Sequence, residues 1–483
     1  MPYLSRPMKA LLFPASLMAF CILSLTCRGE GAGKPNVVMV LIDDMGWGDF
    51  SCFGNREAKT PNIDRLAAEG GRFSQFYVNA PICSPSRCAL MTGQYPQRWR
   101  ITSYLDNRAA NERRGMAQWL DPRAPTLPRL LKQAGWATGH FGKWHLGGQR
   151  DVSEAPAIVE YGFDESLTNF EGMGPKLLPL TLKPGDAQPG RIWEDAERLG
   201  GPFTWRQRSE ITGGYVRAAM DFIDRAVAEK KPFYVNVWPD DVHTPLWPPV
   251  TSWREGKRAK YLAVLEAMDR QLGVLFDRVR ADDILRENTL VLVFSDNGPE
   301  PGAGSAGPLR GSKGTLFEGG IRSPLIVWGP GLVAKKGPGF HDERSVLAAI
   351  DLAPSILALA GVKVPGDVRF DGLDRNAVLV GAEASPRSVP LFWRRPPDRR
   401  RLAGASGDLL PDLAVRDGDW KLLCDYDGAN AQLFHVTDDP GEKTELSALE
   451  SDRLARLKRS ALAWHASLPP DRGAEPAEKP PPP

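Results

Sequence analysis

Residues 36–44 have the sequence NVVMVLIDD, and this short stretch sets the expected fold. After Asn36 it is continuously apolar and rich in valine, which is typical of a strand buried on both faces of a parallel sheet. It ends in Asp43 and Asp44, and two adjacent carboxylates at a strand end are costly to bury unless a cation compensates them. A hard divalent cation with oxygen ligands is the natural partner. The alternative is a helix N-cap beside a solvated acid.

The same arrangement, an apolar run that ends in polar residues, recurs three times along the chain. The runs at 136–141, 233–238 and 289–294 precede, in that order, Lys143 with His145, then His243, then Asp296 with Asn297. Helices are predicted around these runs, at 60–70, 126–135, 210–230, 258–280 and 350–360. Strands that alternate with helices form a largely parallel sheet, whose ligand crevice lies at the carboxyl ends of the strands. The sequence therefore predicts an α/β fold with a large, mostly parallel central sheet flanked by helices and with these polar residues at one edge.

Residues 83–93, CSPSRCALMTG, place a cysteine two residues before a proline and four before an arginine. Pro85 has no N–H to lose in the first turn of a helix, and the apolar run up to Gly93 suits a short helix that begins near Cys83. The positive end of the helix dipole favours negative charge there. Arg87, about one turn on, is expected on the same face. This combination predicts an anion-handling site; the alternative is a buried cysteine that happens to precede a helix.

Several of these polar residues also have a purely structural explanation when each is considered alone. Lys143 and His145 are two residues apart in a segment predicted to be extended, so they point the same way, although a surface lysine and a packed histidine also explain them. Residues 296–298, DNG, equally suit a hairpin turn. Asp240 and Asp241 are interpreted as solvated loop residues.

The chain divides into four predicted segments. They are a signal peptide at 1–33, a catalytic domain at 34–375, a C-terminal subdomain at 376–467 and a proline-rich disordered tail at 468–483. Antiparallel strands are predicted at 413–415, 420–423 and 432–436, followed by a helix, so the C-terminal subdomain is a smaller α+β unit. Residues 150–208 have weak periodicity and are predicted to form long loops of the kind that carry substrate contacts.

The N-terminal residues predict export. Arg6 and Lys9 precede an apolar stretch at 10–26, the pattern of a cleaved secretory signal, which is too short for a confident membrane span. The mature protein is therefore expected to be secreted or periplasmic and to have no stable membrane span. A lipid anchor at Cys27 is less favoured, because residues 24–26 match a lipidation site poorly. The net charge of +2 gives no electrostatic case for binding nucleic acid.

Residues 83–93 resemble the signature of the formylglycine-dependent (type I) sulfatases, a family of the alkaline phosphatase superfamily that includes arylsulfatases and N-acetylgalactosamine-6-sulfatases. Residues 142–147, GKWHLG, and the block at 311–322 resemble further segments of that family. His243 corresponds to its histidine-proline element, and Asp296 with Asn297 to its second pair of metal ligands. The resemblance implies an alkaline-phosphatase-like fold and a sulfuric ester hydrolase.

The resemblance also implies a role for each polar residue. Cys83 would be oxidised to formylglycine (3-oxoalanine) by a formylglycine-generating maturation enzyme, and its hydrate would attack sulfur. One Ca²⁺ would be held by residue 83 together with Asp43, Asp44, Asp296 and Asn297. Arg87, Lys143 and Lys313 would hold the anionic oxygens. His243, with Lys313, would protonate the leaving oxygen. His145 would then take a proton from the second hydroxyl of the hydrate, and sulfate would be expelled as the aldehyde reforms.

The four cysteines after the predicted signal are too few for a disulfide scaffold. If Cys83 is converted, Cys52, Cys88 and Cys424 remain. At most one disulfide can then form, and its pairing is open.

The implied substrate is a sulfated carbohydrate in preference to a small aryl sulfate ester, because the enzyme would be exported and carries long polar loops. Trp247, Trp253, Trp393 and Arg394 could line a sugar subsite, although packing explains each equally well. Two other functions stay open: a phosphate or phosphonate ester hydrolase of the same superfamily, and a secreted carbohydrate-binding relative without catalysis.

Overall fold

A computed structural model describes residues 34–333, 339–396 and 410–470 of the 483-residue chain. The predicted signal peptide and nearly all of the predicted tail lie outside these residues, and the proposed domain boundaries stay predictions. Within the described ranges, no helix is both long enough and apolar enough to cross a membrane.

A large sheet forms the centre of the fold. Its strands are β1 (Asn36–Ile42), β2 (Gly71–Tyr77), β3 (Ala137–Gly142), β4 (Glu165–Thr168), β5 (Lys176–Thr181), β6 (Gly190–Arg191), β7 (Phe203–Gln207), β8 (Phe233–Trp238), β9 (Thr289–Ser295), β10 (Arg322–Trp328), β11 (Phe340–Asp342) and β12 (Leu347–Ala348). Their order is β11-β2-β10-β9-β1-β8-β3-β4-β5-β6, with β12 beside β2 and β7 beside β5. The pairings are parallel except where β10 meets β2 and β9 and where β6 meets β5, which confirms a mostly parallel sheet.

Helices cover both faces of this sheet. The helices of the described residues are α1 (Pro61–Glu69), α2 (Cys83–Thr92), α3 (Arg108–Arg113), α4 (Leu127–Gln133), α5 (Ile211–Ala228), α6 (Lys257–Ala281), α7 (Asp283–Asn288), α8 (Glu318–Ile321), α9 (Ala349–Leu359), α10 (Asn376–Leu379) and α11 (Ser451–Ala466). The odd-numbered residues of β1, Val37 to Leu41, belong to the same core as apolar residues of α2, α4 and α9. The even-numbered residues, Val38 to Ile42, belong to a second core with α1, α5 and α6. Because both faces are covered, β1 has no polar alternation, and the predicted α/β architecture is confirmed.

The parallel order β9-β1-β8-β3 places the carboxyl ends of four adjacent strands at one edge. Backbone hydrogen bonds join the segments that leave this edge. The N–H of Asp43 donates to the Pro239 carbonyl at 3.1 Å, and that of Lys143 donates to the Trp238 carbonyl at 2.9 Å. The polar residues that follow these strands therefore meet, as the sequence pattern predicts.

A smaller antiparallel sheet lies in the C-terminal part of the chain. Its strands, in spatial order, are β13 (Leu391–Arg394), β14 (Leu413–Asp417), β15 (Trp420–Cys424) and β16 (Gln432–His435). Leu457 and Ala461 of α11 pack on it, so the predicted α+β character is confirmed. Lys421 of β15 joins this sheet to α8, since its Nζ lies 3.0 Å from Glu318 Oε1 and 2.9 Å from Glu442 Oε1 in a fully buried trio.

The structure corrects the prediction of long loops at 150–208. Strands β4, β5, β6 and β7 lie in this region and extend the large sheet at one edge. These strands are short, and Pro179 lies within β5. Because proline cannot donate a hydrogen bond to a neighbouring strand, its presence argues against a strand when only the sequence is considered. The described cysteines, Cys52, Cys83, Cys88 and Cys424, are all free, so the one disulfide that the sequence allowed is not formed among them.

Candidate active site

Four oxygen-bearing side chains meet at the carboxyl edge of the large sheet. Asp43 and Asp44 follow β1, and Asp296 and Asn297 follow the neighbouring strand β9. Asp44 has a φ of +60°, and this left-handed conformation breaks the alternation that would send consecutive side chains to opposite sides. One carboxylate oxygen from each of Asp43, Asp44 and Asp296 consequently lies within 4.8 Å of the others.

This donor set fits a hard divalent cation. Asn297 donates from Nδ2 to Asp44 Oδ1 at 2.9 Å, while its own Oδ1 is buried without a hydrogen-bond partner among the described residues. Buried polar atoms are nearly always paired, so an unpaired amide oxygen beside three carboxylates indicates a cation position. Carboxylate and amide oxygens are the ligands that Ca²⁺ takes in proteins, and these four residues could hold it.

Cys83 is the first residue of α2 and lies beside the carboxylates. Its S–H donates to Asp43 Oδ1 at 3.4 Å, and Lys143 Nζ is 3.8 Å from its Sγ. Arg87, one turn on, donates from Nε and Nη2 to Asp296 Oδ2 at 3.0 and 2.7 Å. Burial first, and then the charge of Asp43, raise the pKa of the Cys83 thiol well above its usual range. At neutral pH the thiol of Cys83 is therefore protonated.

Lys143 and His145 project towards the same side chain, although the segment is not extended as predicted. His145 has a φ of +54°, and its backbone N–H donates to the Glu171 carbonyl at 2.8 Å. Lys143 Nζ lies 2.7 Å from Asp43 Oδ2 and 3.1 Å from Glu171 Oε2. His145 Nε2 lies 3.4 Å from Glu171 Oε1. The Glu171 carboxylate thus joins the lysine to the histidine.

His145 can accept a proton through Nδ1. Its Nε2 lies 2.9 Å from the Leu105 carbonyl oxygen, which can only accept, so Nε2 carries a proton. Its Nδ1 is buried without a hydrogen-bond partner among the described residues. Burial lowers the pKa of His145 to about 4, with Lys143 adding to the effect and Glu171 opposing it. The imidazole is therefore a neutral base at neutral pH.

His243 and Lys313 reach the cluster from two loops. Lys313 Nζ lies 2.6 Å from Asp44 Oδ2, and His243 Nε2 lies 3.5 Å from the same oxygen. His243 Nδ1 donates to the Thr244 carbonyl at 2.7 Å, which leaves Nε2 to face the site. The His243 side chain is 26% exposed and lines a cavity, so among these groups it faces the side open to substrate.

The carboxylates are unequal in their tendency to ionise. Burial alone would raise the pKa of Asp43, but Lys143, His243, Arg87 and Lys313 together hold that pKa well below its usual range. Burial and the neighbouring charge of Asp43 raise the pKa of Asp296 to about 7, because closely spaced like charges disfavour joint ionisation. A cation among them would favour full ionisation of all three.

With a divalent cation bound, the net formal charge of the site would be positive and would favour an anionic ligand. Asp43, Asp44, Asp296 and Glu171, when all are ionised, face the fixed cations Arg87, Lys143 and Lys313, a formal charge of −1. A divalent cation would change that charge to +1. The site would then attract a singly charged anion such as a sulfate monoester.

Glu171 has no signal in the sequence pattern, and the prediction that Asp240 and Asp241 are solvated is wrong. Both aspartates are buried, not solvated. Asp240 pairs with Arg208 at 2.6 Å and accepts from Asn169 at 2.9 Å, and Asp241 accepts from the Thr212 hydroxyl. The Asp240 carbonyl also accepts from the His243 N–H at 3.1 Å, so these residues support the loop that carries His243.

The suggestion that three tryptophans and Arg394 line a sugar subsite is wrong for Trp393 and Arg394. Trp393 and Arg394 are buried, and Trp393 donates from Nε1 to the Val78 carbonyl at 2.7 Å in the core. Trp247 and Trp253 contact each other with ring centroids 5.9 Å apart, and neither lines the cavity beside His243.

Comparison with known proteins agrees with this geometry. Residues 35–362 match the family described as Sulfatase. The chain is 31% identical to N-acetylgalactosamine-6-sulfatase of Canis lupus familiaris, over 91% of this chain and 87% of that protein. It is 32% identical to human arylsulfatase A, over 83% of this chain and 76% of that protein.

A solved structure shares the fold over nearly the whole chain. The crystal structure of Ps i-CgsB in complex with k-i-k-neocarrahexaose has a TM-score of 0.74 and 28% sequence identity, and the match covers 92% of this chain and 96% of that one. From the extent of the family match and the identity to curated relatives, the chain belongs to the sulfatase family and is a sulfuric ester hydrolase.

Proposed function

We propose that this sulfatase releases sulfate from sulfated carbohydrates, using a formylglycine made from Cys83 and a bound Ca²⁺. The observation that carries the proposal is the position of Cys83, at the start of α2 between the oxygen cluster and Lys143. A nucleophile there would be within reach of a cation and of His243, because ligand atoms of Asp43, Cys83 and His243 lie within 4.8 Å of one another. Export is proposed with it, from the charged and apolar pattern at the N-terminus.

The chemistry of the site favours an oxygen nucleophile at position 83. The buried thiol is protonated at neutral pH, and the thiolate, not the thiol, is the nucleophilic form of cysteine. Sulfur is also a poor ligand for the hard cation that the four oxygen donors suit. Oxidation to a hydrated aldehyde by a maturation enzyme would replace sulfur with oxygen and resolve both mismatches.

Asp43, Asp44, Asp296 and Asn297 would hold the Ca²⁺, together with residue 83. When bound, the ion would supply Lewis-acid polarisation of sulfate oxygens and a template for the ester. Lys143 and Lys313, whose Nζ atoms contact Asp43 and Asp44, would bind the anionic oxygens. Arg87 would position residue 83 through its contacts with Asp43 and Asp296.

The two histidines suit opposite proton transfers. His243 presents Nε2 beside Lys313 on the cavity side; with Nδ1–H held by the Thr244 carbonyl, the imidazolium form would carry a second proton on Nε2 and give it to the departing sugar oxygen. His145 has a buried Nδ1 without a hydrogen-bond partner among the described residues, and a neutral imidazole of this kind would suit removal of a proton from residue 83 as sulfate departs. Each such general acid or base step contributes roughly 10²–10⁴-fold to the rate.

Replacing His243 by glutamine should separate good from poor leaving groups. A sugar alkoxide needs a proton as it departs, so we expect its release to slow by about 10²–10⁴-fold. Nitrophenolate departs without help, so hydrolysis of 4-nitrophenyl sulfate should fall far less. Steady-state kinetics on both substrates measure the difference, and equal losses on both would contradict the role of His243 as the acid.

Two observations support a carbohydrate substrate. A cavity of about 890 Å³ lies beside His243, and the similar proteins include an N-acetylgalactosamine-6-sulfatase and a structure in complex with k-i-k-neocarrahexaose. A panel of sulfated sugars, 4-nitrophenyl sulfate, phosphate esters and phosphonate esters tests it, with free sulfate and phosphate quantified. Preferential release of sulfate from sugars is expected. Preferential cleavage of phosphorus esters, or binding of sugars without turnover, would each replace the proposal.

A further inference from the structure

The cavity beside His243 is lined by two kinds of side chain, aromatic and acidic, which give its aromatic wall and its acidic wall their names. Its volume of about 890 Å³ is within the range of about 300–1,000 Å³ typical of ligand sites. His243 and Glu171 line its inner end, next to Lys143 and Lys313. The remainder of a substrate whose sulfate lies at the reactive residues would therefore extend into this space.

One wall is aromatic. The rings of Phe170 and Trp193 stack with centroids 4.1 Å apart, and both residues line the cavity. Trp193 has a φ of +57°, a conformation that is unusual for a bulky residue and concentrates at functional sites. An aromatic surface of this kind suits the C–H face of a sugar ring.

The other wall is acidic. Its carboxylates are Asp151, Glu171, Glu194 and Asp195, whereas the guanidinium groups that line the cavity belong to Arg150 and Arg198. Arg150 pairs with Asp106 at 2.6 Å, and Arg198 pairs with Asp195 at 3.4 Å. Asp151 and Glu194 have no ion-pair partner among the described residues.

Carboxylates accept hydrogen bonds from hydroxyl and amide N–H groups but repel other anions. Glu171 is 7% exposed, and its contacts with Lys143 and His145 hold the pKa of its carboxyl down to about 2 against the effect of burial. The charge of Glu171 is therefore compensated by Lys143, and the negative charge of the cavity that has no ion-pair partner among the described residues belongs to Asp151 and Glu194.

We propose that this cavity binds the uncharged part of a singly sulfated sugar chain, and that its acidic wall disfavours neighbours that carry a carboxylate or a second sulfate. The inference rests on the proposed function and narrows its substrate class. Neutral sugars with hydroxyl or N-acetyl groups fit both walls. Uronate-containing and densely sulfated chains do not fit the acidic wall.

Matched disaccharides test this directly. Each pair carries one sulfate on the same position of one hexose and differs only in its neighbour, a neutral hexose or a hexuronate, with the sulfate position varied across pairs. We expect kcat/KM to favour the neutral member by about tenfold at low ionic strength and by less at high salt. Hydrolysis of 4-nitrophenyl sulfate reports whether each preparation is active.

A double variant, Glu194→Gln with Asp195→Asn, should reduce the preference several-fold by raising kcat/KM for the hexuronate member. Glu197→Gln is the control, because Glu197 lies on the same segment without lining the cavity. An equal or greater rate for the hexuronate, or a preference that the double variant leaves intact, would overturn the inference.

The outcomes separate this inference from the proposed function. Turnover of 4-nitrophenyl sulfate without turnover of any disaccharide would remove the sugar site and keep the sulfatase chemistry. Turnover of hexuronate disaccharides in preference to neutral ones would keep the carbohydrate substrate and reject the acidic wall as a selector. Failure on every sulfate ester by a preparation with formylglycine at position 83 would overturn both.

Discussion

Replacing Cys83 by alanine is expected to reduce sulfate release by about 10⁴-fold or more, the scale of loss when a nucleophile is removed from an enzyme. Alanine has no thiol for the maturation enzyme to act on, so no aldehyde would form at position 83. The cation site and the charged residues around it would remain, so binding of a sulfated sugar should survive. Sulfate release and equilibrium binding, measured on the same preparation, separate the two effects.

Cys88→Ala is the matched control for this experiment. Cys88 lies in the same helix and is fully buried, but it packs in the apolar core on one face of the sheet. Its replacement should cost some stability through a small cavity and leave catalysis largely intact. Comparable activity losses in the two variants would mean that the helix, and not the side chain at position 83, matters for the reaction.

Removal of divalent cations by a chelator should abolish turnover, and addition of Ca²⁺ should restore it. Without a cation, three buried carboxylates lie close together, which raises the pKa of Asp296 to about 7. At about 100 times its Kd, the ion should add about 2.7 kcal/mol to the free energy of unfolding. Thermal unfolding with and without Ca²⁺ measures this gain.

Asp43→Asn and Asp296→Asn should lose the Ca²⁺-dependent gain in stability together with activity, because each removes an anionic ligand. Circular dichroism before the titration establishes that each variant is folded. Full activity of chelated protein whose metal content is shown to be negligible would contradict the metal site, as would an undiminished Ca²⁺ effect in both variants.

The large sheet could be predicted because its strands carry their own signals. β1, β8 and β9 are mostly apolar and buried along their whole length, and each is followed by polar residues that have no local reason to follow a buried strand. Parallel pairing then brings those residues to one edge without knowledge of any contact. The positions of Cys83 and Arg87 were predictable from local signals of another kind. Pro85 suits the first turn of a helix, and a spacing of four residues places Cys83 and Arg87 on one face of it.

The supporting residues could not be predicted, since their burial depends on distant partners. Asp240 is held by Arg208, 32 residues earlier in the chain, and no local pattern distinguishes it from a solvated loop aspartate. Glu171 lies in a segment of weak periodicity, and its role arises only when β3 and β4 place it beside Lys143 and His145. The left-handed backbone of His145 likewise has no signal beyond nearby glycines.

The most direct measurement is mass spectrometry of the tryptic peptide that covers residues 73–87, from protein made in a host able to mature sulfatases. The account predicts an aldehyde, or its hydrate, in place of the Cys83 thiol. An unmodified thiol, from a host that demonstrably converts a control sulfatase, would contradict the formylglycine mechanism.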